Sequence, residues 1–141
     1  MMSKRQCAGV SLIELIFVVA IIGIVASLAY PNFQDKARRA KRTDAKVALL
    51  GVAAAQEKYF LRNNRYAVNT GELGIDRTEN GYYDLNISSE SASVFTARAA
   101  ANDTGGQQFD EACQVFQIDE AGRKTANNAS NTDNSVECWQ K

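Results

Sequence analysis

No histidine occurs anywhere in this sequence, so histidine triads, imidazole proton shuttles and histidine metal ligands are excluded. Length is short as well: 141 residues make one modest domain and exclude a two-domain enzyme. Net charge is absent, because sixteen basic residues balance sixteen acidic ones, and no global field draws the chain to nucleic acid or to an anionic surface. Proline occurs once, at Pro31, so the stretch from 32 to 61 is free of helix-breaking rings.

The charge balance hides a segregation along the chain. Residues 1–9 carry Lys4 and Arg5 and no acid, while residues 10–31 carry Glu14 as their only charge. Residues 32–65 hold nine basic against three acidic side chains, for +6, and residues 66–141 hold five against twelve, for −7.

Residues 10–30 read VSLIELIFVVAIIGIVASLAY, with Glu14 as the one carboxylate. At about 1.5 Å per residue such a run crosses the roughly 30 Å hydrocarbon layer as a helix. It is apolar on every face, unlike the core helix of a soluble domain. A secretory signal places its apolar region before the cleavage site, whereas here MMSKRQCAG precedes it and ends in glycine. A cut between Gly9 and Val10 therefore leaves the membrane segment on the mature chain. Cys7 has no apolar lead-in of the lipoprotein kind and reads as a free cytoplasmic thiol.

A basic leader ending in Gly9, followed by V-S-L-I-E-L-I-F-V-V-A-I-I-G-I-V-A-S-L-A-Y-P, resembles the class III signal of type IV prepilins. Glu14, Gly23 and Pro31 stand in the family's register, and Val10 stands where the family usually has Phe. The resemblance implies cleavage between Gly9 and Val10 and N-methylation of Val10 by a prepilin peptidase. An inner-membrane platform and a cytoplasmic assembly ATPase then act on the chain indirectly. It also implies an α+β fold, the type IV pilin fold: a long N-terminal helix, half in the membrane and half amphipathic, packed on a small antiparallel β-sheet with a C-terminal disulfide loop. The expected divisions are a leader at 1–9, a transmembrane and filament-core helix at 10–31, and a head at 32–141. Within the head, an amphipathic helix covers 32–62, an αβ loop 63–81, the β-sheet 82–122 and the disulfide loop 113–138.

A carboxylate inside a bilayer costs about 2.5–3.5 kcal/mol on insertion scales and calls for a partner. The amine freed at Val10 qualifies, either of the same chain or of a neighbour staggered along a filament. The resemblance implies the neighbour, which makes Glu14 the residue of assembly and register. Pro31 and Gly23 are the weak points of the helix, and the resemblance implies an extensible hinge between them. Orientation by charge counting fails: Lys36, Arg38, Arg39, Lys41 and Arg42 outweigh Lys4 and Arg5, which places the wrong end in the cytoplasm. A leader facing a cytoplasmic-side peptidase requires the opposite, with the N-terminus cytoplasmic and the head periplasmic before assembly and extracellular after it.

Beyond Pro31, Ala45, Ala48, Leu49, Val52, Ala55 and Tyr59 recur at three- and four-residue steps, an apolar stripe suited to packing on a sheet. The basic cluster at 36–46 has three uses: a solvated face or contact with lipid headgroups, pairing with the acidic head of another subunit, or DNA binding. DNA is set aside here, because the family's helix is largely buried in filaments and the head is acidic. Three alternating runs, Tyr83-Leu85-Ile87, Phe95-Ala97-Ala99 and Phe116-Ile118, predict a three-stranded meander. The aromatics from Tyr59 to Tyr66 read as core, and this helix exit resembles that of PilE-type pilins, which points to a minor subunit. With Cys7 lost in the leader, Cys113 and Cys138 make an even count in an exported chain and predict a disulfide. The Cys138-Trp139 ending resembles the family's own loop.

No cofactor or metal is expected: two cysteines without histidine are a poor zinc set. Asp110-Glu111 and Asp119-Glu120 read as solvated acids. A calcium site of the kind used by type II secretion pseudopilins is replaced by the disulfide. The function expected is a structural, non-enzymatic subunit of a type IV pilus that supports assembly, adhesion and twitching motility, with other pilins as partners and membrane lipid before assembly. A type II secretion pseudopilin, a DNA-uptake receptor pilin and a membrane-anchored periplasmic enzyme are the alternatives.

Overall fold

The computed structural model describes residues 10–140, with backbone alone at 31 and 32. Cleavage after Gly9 and the thiol of Cys7 concern residues outside that range. The helix-favouring composition after Pro31 joins the apolar run into one element, α1, Leu12–Asn63. The chain divides into two compact units between Asp35 and Lys36. Within the first, α1 keeps its helical assignment through Gly23 and Pro31, where the sequence predicts weak points. α1 stops at Asn64, which takes the left-handed conformation at φ 53° and donates its amide to the Phe60 carbonyl at 2.8 Å. A polar residue in that conformation is a common helix terminator.

In the second unit, a four-stranded antiparallel sheet runs in sequence order through β1 (Tyr83–Ser91), β2 (Val94–Ala101), β3 (Val115–Asp119) and β4 (Lys124–Asn127). The alternation is the one expected: Tyr83, Leu85, Ile87, Phe95, Ala97, Ala99, Phe116 and Ile118 are buried in one cluster with Ala45, Leu49 and Val52 of α1. Rings lock the cluster edge-on, Tyr83 to Phe116 and Phe116 to Trp139 at 5.7 Å each, and Tyr66 to Phe95 at 4.8 Å. Tyr66 and Phe60 join this core as expected, but Tyr59 stays half-buried outside it, its hydroxyl accepting from Arg65 Nη2 at 3.0 Å.

The sheet continues past residue 122, where the sequence predicted its end. β4 pairs with β3 from Ile118–Lys124 to Val115–Asn127, and a short helix, α2 (Ser135–Gln140), follows it. The polar stretch from Thr125 to Ser135 is tied down by backbone hydrogen bonds as well as by the disulfide. Ala126 is buried, its amide donating to Ser135 Oγ at 2.9 Å and its carbonyl accepting from the Asn134 amide at 2.8 Å.

Candidate functional site

Fifteen large apolar side chains from Val10 to Phe33 lie about half or more exposed. Natural monomers rarely expose a contiguous apolar patch beyond a few hundred Å². At about 1.5 kcal/mol per side chain, covering them is worth on the order of 20 kcal/mol, a drive that membrane lipid or neighbouring helices satisfy. Glu14 is exposed among them. Val10, Glu14, Gly23 and Pro31 all belong to this first unit, and α1 is long and apolar enough to cross a membrane.

Much of the basic cluster at 36–46 reaches the head of its own chain, and its member Arg42 is no solvated charge. Arg42 is only 2% exposed. Its Nε and Nη2 donate to the two carboxylate oxygens of Asp110 at 2.7 and 2.8 Å. Asp110, read as a solvated acid, is 3% exposed. Burial opposes the Arg42 charge, but the Asp110 hydrogen bonds and charge outweigh it and hold the guanidinium above its ordinary pKa. Gln107, also buried, donates from Nε2 to the Tyr83 hydroxyl oxygen at 2.8 Å and to Asp110 Oδ2 at 3.1 Å. Burial, then the nearby Asp110, pushes the Tyr83 hydroxyl well above its usual pKa, so it stays protonated.

Three more members of the cluster reach the head. Lys41 donates to the Gly105 carbonyl and sits 5.0 Å over the Tyr82 ring, Arg39 lies 3.5 Å from Glu137, and Lys46 donates to the Trp139 carbonyl at 3.3 Å. Gly105 has φ +65°, and a Cβ there would meet the Tyr82 ring at 2.8 Å, so glycine is required twice over.

Sequence reasoning missed Arg42, Gln56, Gln107 and Asp110. A signal existed for two of them: Arg42 lies three residues before Ala45 and Gln56 four after Val52, so both continue the buried stripe in helical step. Gln56 serves as a backbone mimic, accepting from the Ala67 amide at 2.8 Å and donating to the Ala67 carbonyl at 3.0 Å. Beside it Arg65 grips both Glu72 oxygens at 2.9 and 3.1 Å. The Arg65 hydrogen bonds and the Val68 amide hold the Glu72 carboxyl down at about 2. With the folded value below the unfolded one, the clamp's contribution is present above the unfolded pKa of roughly 4.5 and is lost as pH falls through 2. A carbon-detected NMR titration of Glu72 is expected to show its midpoint near 2; a midpoint above 4 would show an unclamped carboxylate.

Cys113 and Cys138 are joined, as predicted, with Cα atoms 5.7 Å apart and both sulfurs buried. Among the described residues, no three His, Cys, Asp or Glu side chains gather as a metal site.

The family model described as type IV minor pilin ComP, DNA uptake sequence receptor, matches residues 31–117, more than half of the chain. The chain belongs to this pilin family. A second model, the prokaryotic N-terminal methylation motif, matches residues 4–30 of the pilin. Over 92 residues, 65% of this pilin, it is 36% identical to the type IV major pilin protein PilA of Myxococcus xanthus, covering 42% of that protein. Over 79 residues, 56% of its length, it is 37% identical to the type II secretion system core protein G of Aeromonas hydrophila, covering 54% of it. The pilin thus spans about half the length of these relatives. The solved Neisseria meningitidis non-core minor pilin PilV shares its fold with a TM-score of 0.55 at 22% identity, over 70% of this chain and 94% of that one. Long helix, small antiparallel sheet and C-terminal disulfide together are the type IV pilin fold.

Proposed function

We propose that this pilin is a minor subunit of a type IV filament whose head serves DNA uptake. The family match over residues 31–117 carries this reading, because it covers the head as far as β3 and not only the leader and apolar run that pilins and pseudopilins have in common. The acidic balance of residues 66–141 had set DNA aside; the match restores it. In this account a prepilin peptidase cuts between Gly9 and Val10 and methylates Val10. The subunit waits in the inner membrane with its N-terminus cytoplasmic and its head periplasmic. The assembly ATPase and the inner-membrane platform drive its extraction into a filament of other pilins, with Gly23 and Pro31 as hinge. Adhesion and twitching are properties of that filament.

In a deletion strain, DNA uptake is expected to fall while filaments and twitching persist. Loss of filaments and twitching together would make the chain an assembly subunit instead. Loss of protein secretion alone would favour the second reading, a type II pseudopilin, which the 37% identity to core protein G supports. Glu14→Ala is expected to leave membrane insertion intact and to deplete the chain from sheared filaments, as read by immunoblot of both fractions. Equal incorporation would remove Glu14 from the register role.

A further inference from the structure

The connection from β2 to β3 carries a 3-10 turn, Thr104–Phe109, that ends on an aromatic ring. Gln107 and Asp110 on either side of that ring are buried, while Phe109 itself is 61% exposed. Its backbone is pinned: Gln108 donates its amide to the Asn102 carbonyl at 2.9 Å, Asp110 donates to that of Gln107 at 2.9 Å, and Gln114 Nε2 donates to that of Gln108 at 2.6 Å. Val136 on α2 is held in the same manner. It is 66% exposed between Ser135, which accepts from the Ala126 amide, and Glu137, which pairs with Arg39.

Singly, exposed apolar side chains are ordinary. These two are mounted beside the same turns of helix: Gln107 Nε2 donates to the Arg38 carbonyl at 3.3 Å, Asp110 holds Arg42, and Glu137 lies 3.5 Å from Arg39. Those turns are where the chain enters the second unit, at Lys36, six residues after the apolar run ends at Tyr30. Six residues of helix measure about 9 Å, and one headgroup layer is about 5–8 Å deep.

We propose that Phe109 and Val136 form a lipid-facing rim, which rests the head on the phospholipid surface while the subunit waits in the membrane. The occupant follows from continuity with the membrane segment, whose short tether keeps this end of the head beside the headgroups. Side chains of this kind lie about 5–10 Å into the headgroup boundary. The contact is apolar rather than ionic. Five basic residues at 36–42 are matched by five acids at 103–111 and 133–137, so the rim has no net charge and anionic lipid is not required. The proposal rests on the membrane-anchored stage of the proposed function and not on DNA uptake.

The test places the full-length processed chain, methyl- and phenylalanine-labelled, in nanodiscs of phosphatidylcholine with a nitroxide on some of the headgroups. Paramagnetic broadening of the Val136 methyls and the Phe109 ring is expected to exceed that of the Leu61 methyls several-fold. Leu61 is more exposed still, but it follows Arg38 on α1 by about 35 Å of helix. Phe109→Asp is expected to reduce the Val136 broadening several-fold, and Val136→Asp to do the same for Phe109. Unaltered thermal melts would show that neither exposed substitution disturbs the fold. Exchanging part of the lipid for phosphatidylglycerol should change neither result. Broadening at the rim no greater than at Leu61 overturns the proposal; if Leu28 is broadened in the same sample, the membrane anchor still stands. Broadening that survives both substitutions shows that the tether alone brings the rim near lipid and overturns the apolar contact, as does broadening that requires phosphatidylglycerol. A rim shielded only in filaments has another subunit as its occupant and overturns the lipid assignment.

Discussion

Asp110→Ala is expected to lower the stability of the head by about 3–5 kcal/mol, because it strands the Arg42 charge in a site only 2% exposed. Two charge-assisted bonds at 2.7 and 2.8 Å vanish, and the neighbouring Gln107 amide has only one neutral acceptor oxygen to set against them. Asp110→Asn keeps the shape and one acceptor but removes the charge, so its loss should be intermediate. The control is the double substitution Arg42→Met with Asp110→Leu, which removes both charges together and should cost less than Asp110→Ala alone. Trp139, the chain's single tryptophan, packs on Phe116 and reports the transition by fluorescence in urea. A double variant as unstable as Asp110→Ala would show that packing, not the stranded charge, sets the loss.

Removing the disulfide through Cys113→Ser and Cys138→Ser is expected to cost about 3.5 kcal/mol in the chain-entropy model for a separation of 25 residues. Loss should begin in β4 and α2, which have the least apolar burial of their own: Ala126 in one and Cys138 in the other. Hydrogen exchange of the oxidised and reduced chain separates this from global unfolding. Fast exchange confined to residues 124–140, with β1 and β2 still protected, is the expected pattern. Uniform loss of protection would mean that the bond stabilises the whole head cooperatively.

What the sequence showed and what it hid follow from the range of the interactions. Tyr83, Leu85 and Ile87 announce a strand because burial on one face imposes a period of two. The apolar run announces its helix by composition, and the leader by the placing of Gly9 and Glu14. β4 stayed hidden because only Ala126 of its four residues is buried; its place is fixed by pairing with β3 and by the residues that follow it. Arg42 and Asp110 each look like surface charges, and their bond spans 68 residues, which no local pattern encodes. The basic cluster was legible as a cluster but not in its target. Arg39, Lys41, Arg42 and Lys46 reach their own head, and Arg42 is buried in doing so.

The account depends on an apolar rod that is trimmed and buried among other subunits. Peptide mass spectrometry of the sheared filament fraction tests this most directly. The account predicts this chain there with Val10 as its first residue. Its absence from filaments, with membranes holding only chains that still carry residues 1–9, would contradict it.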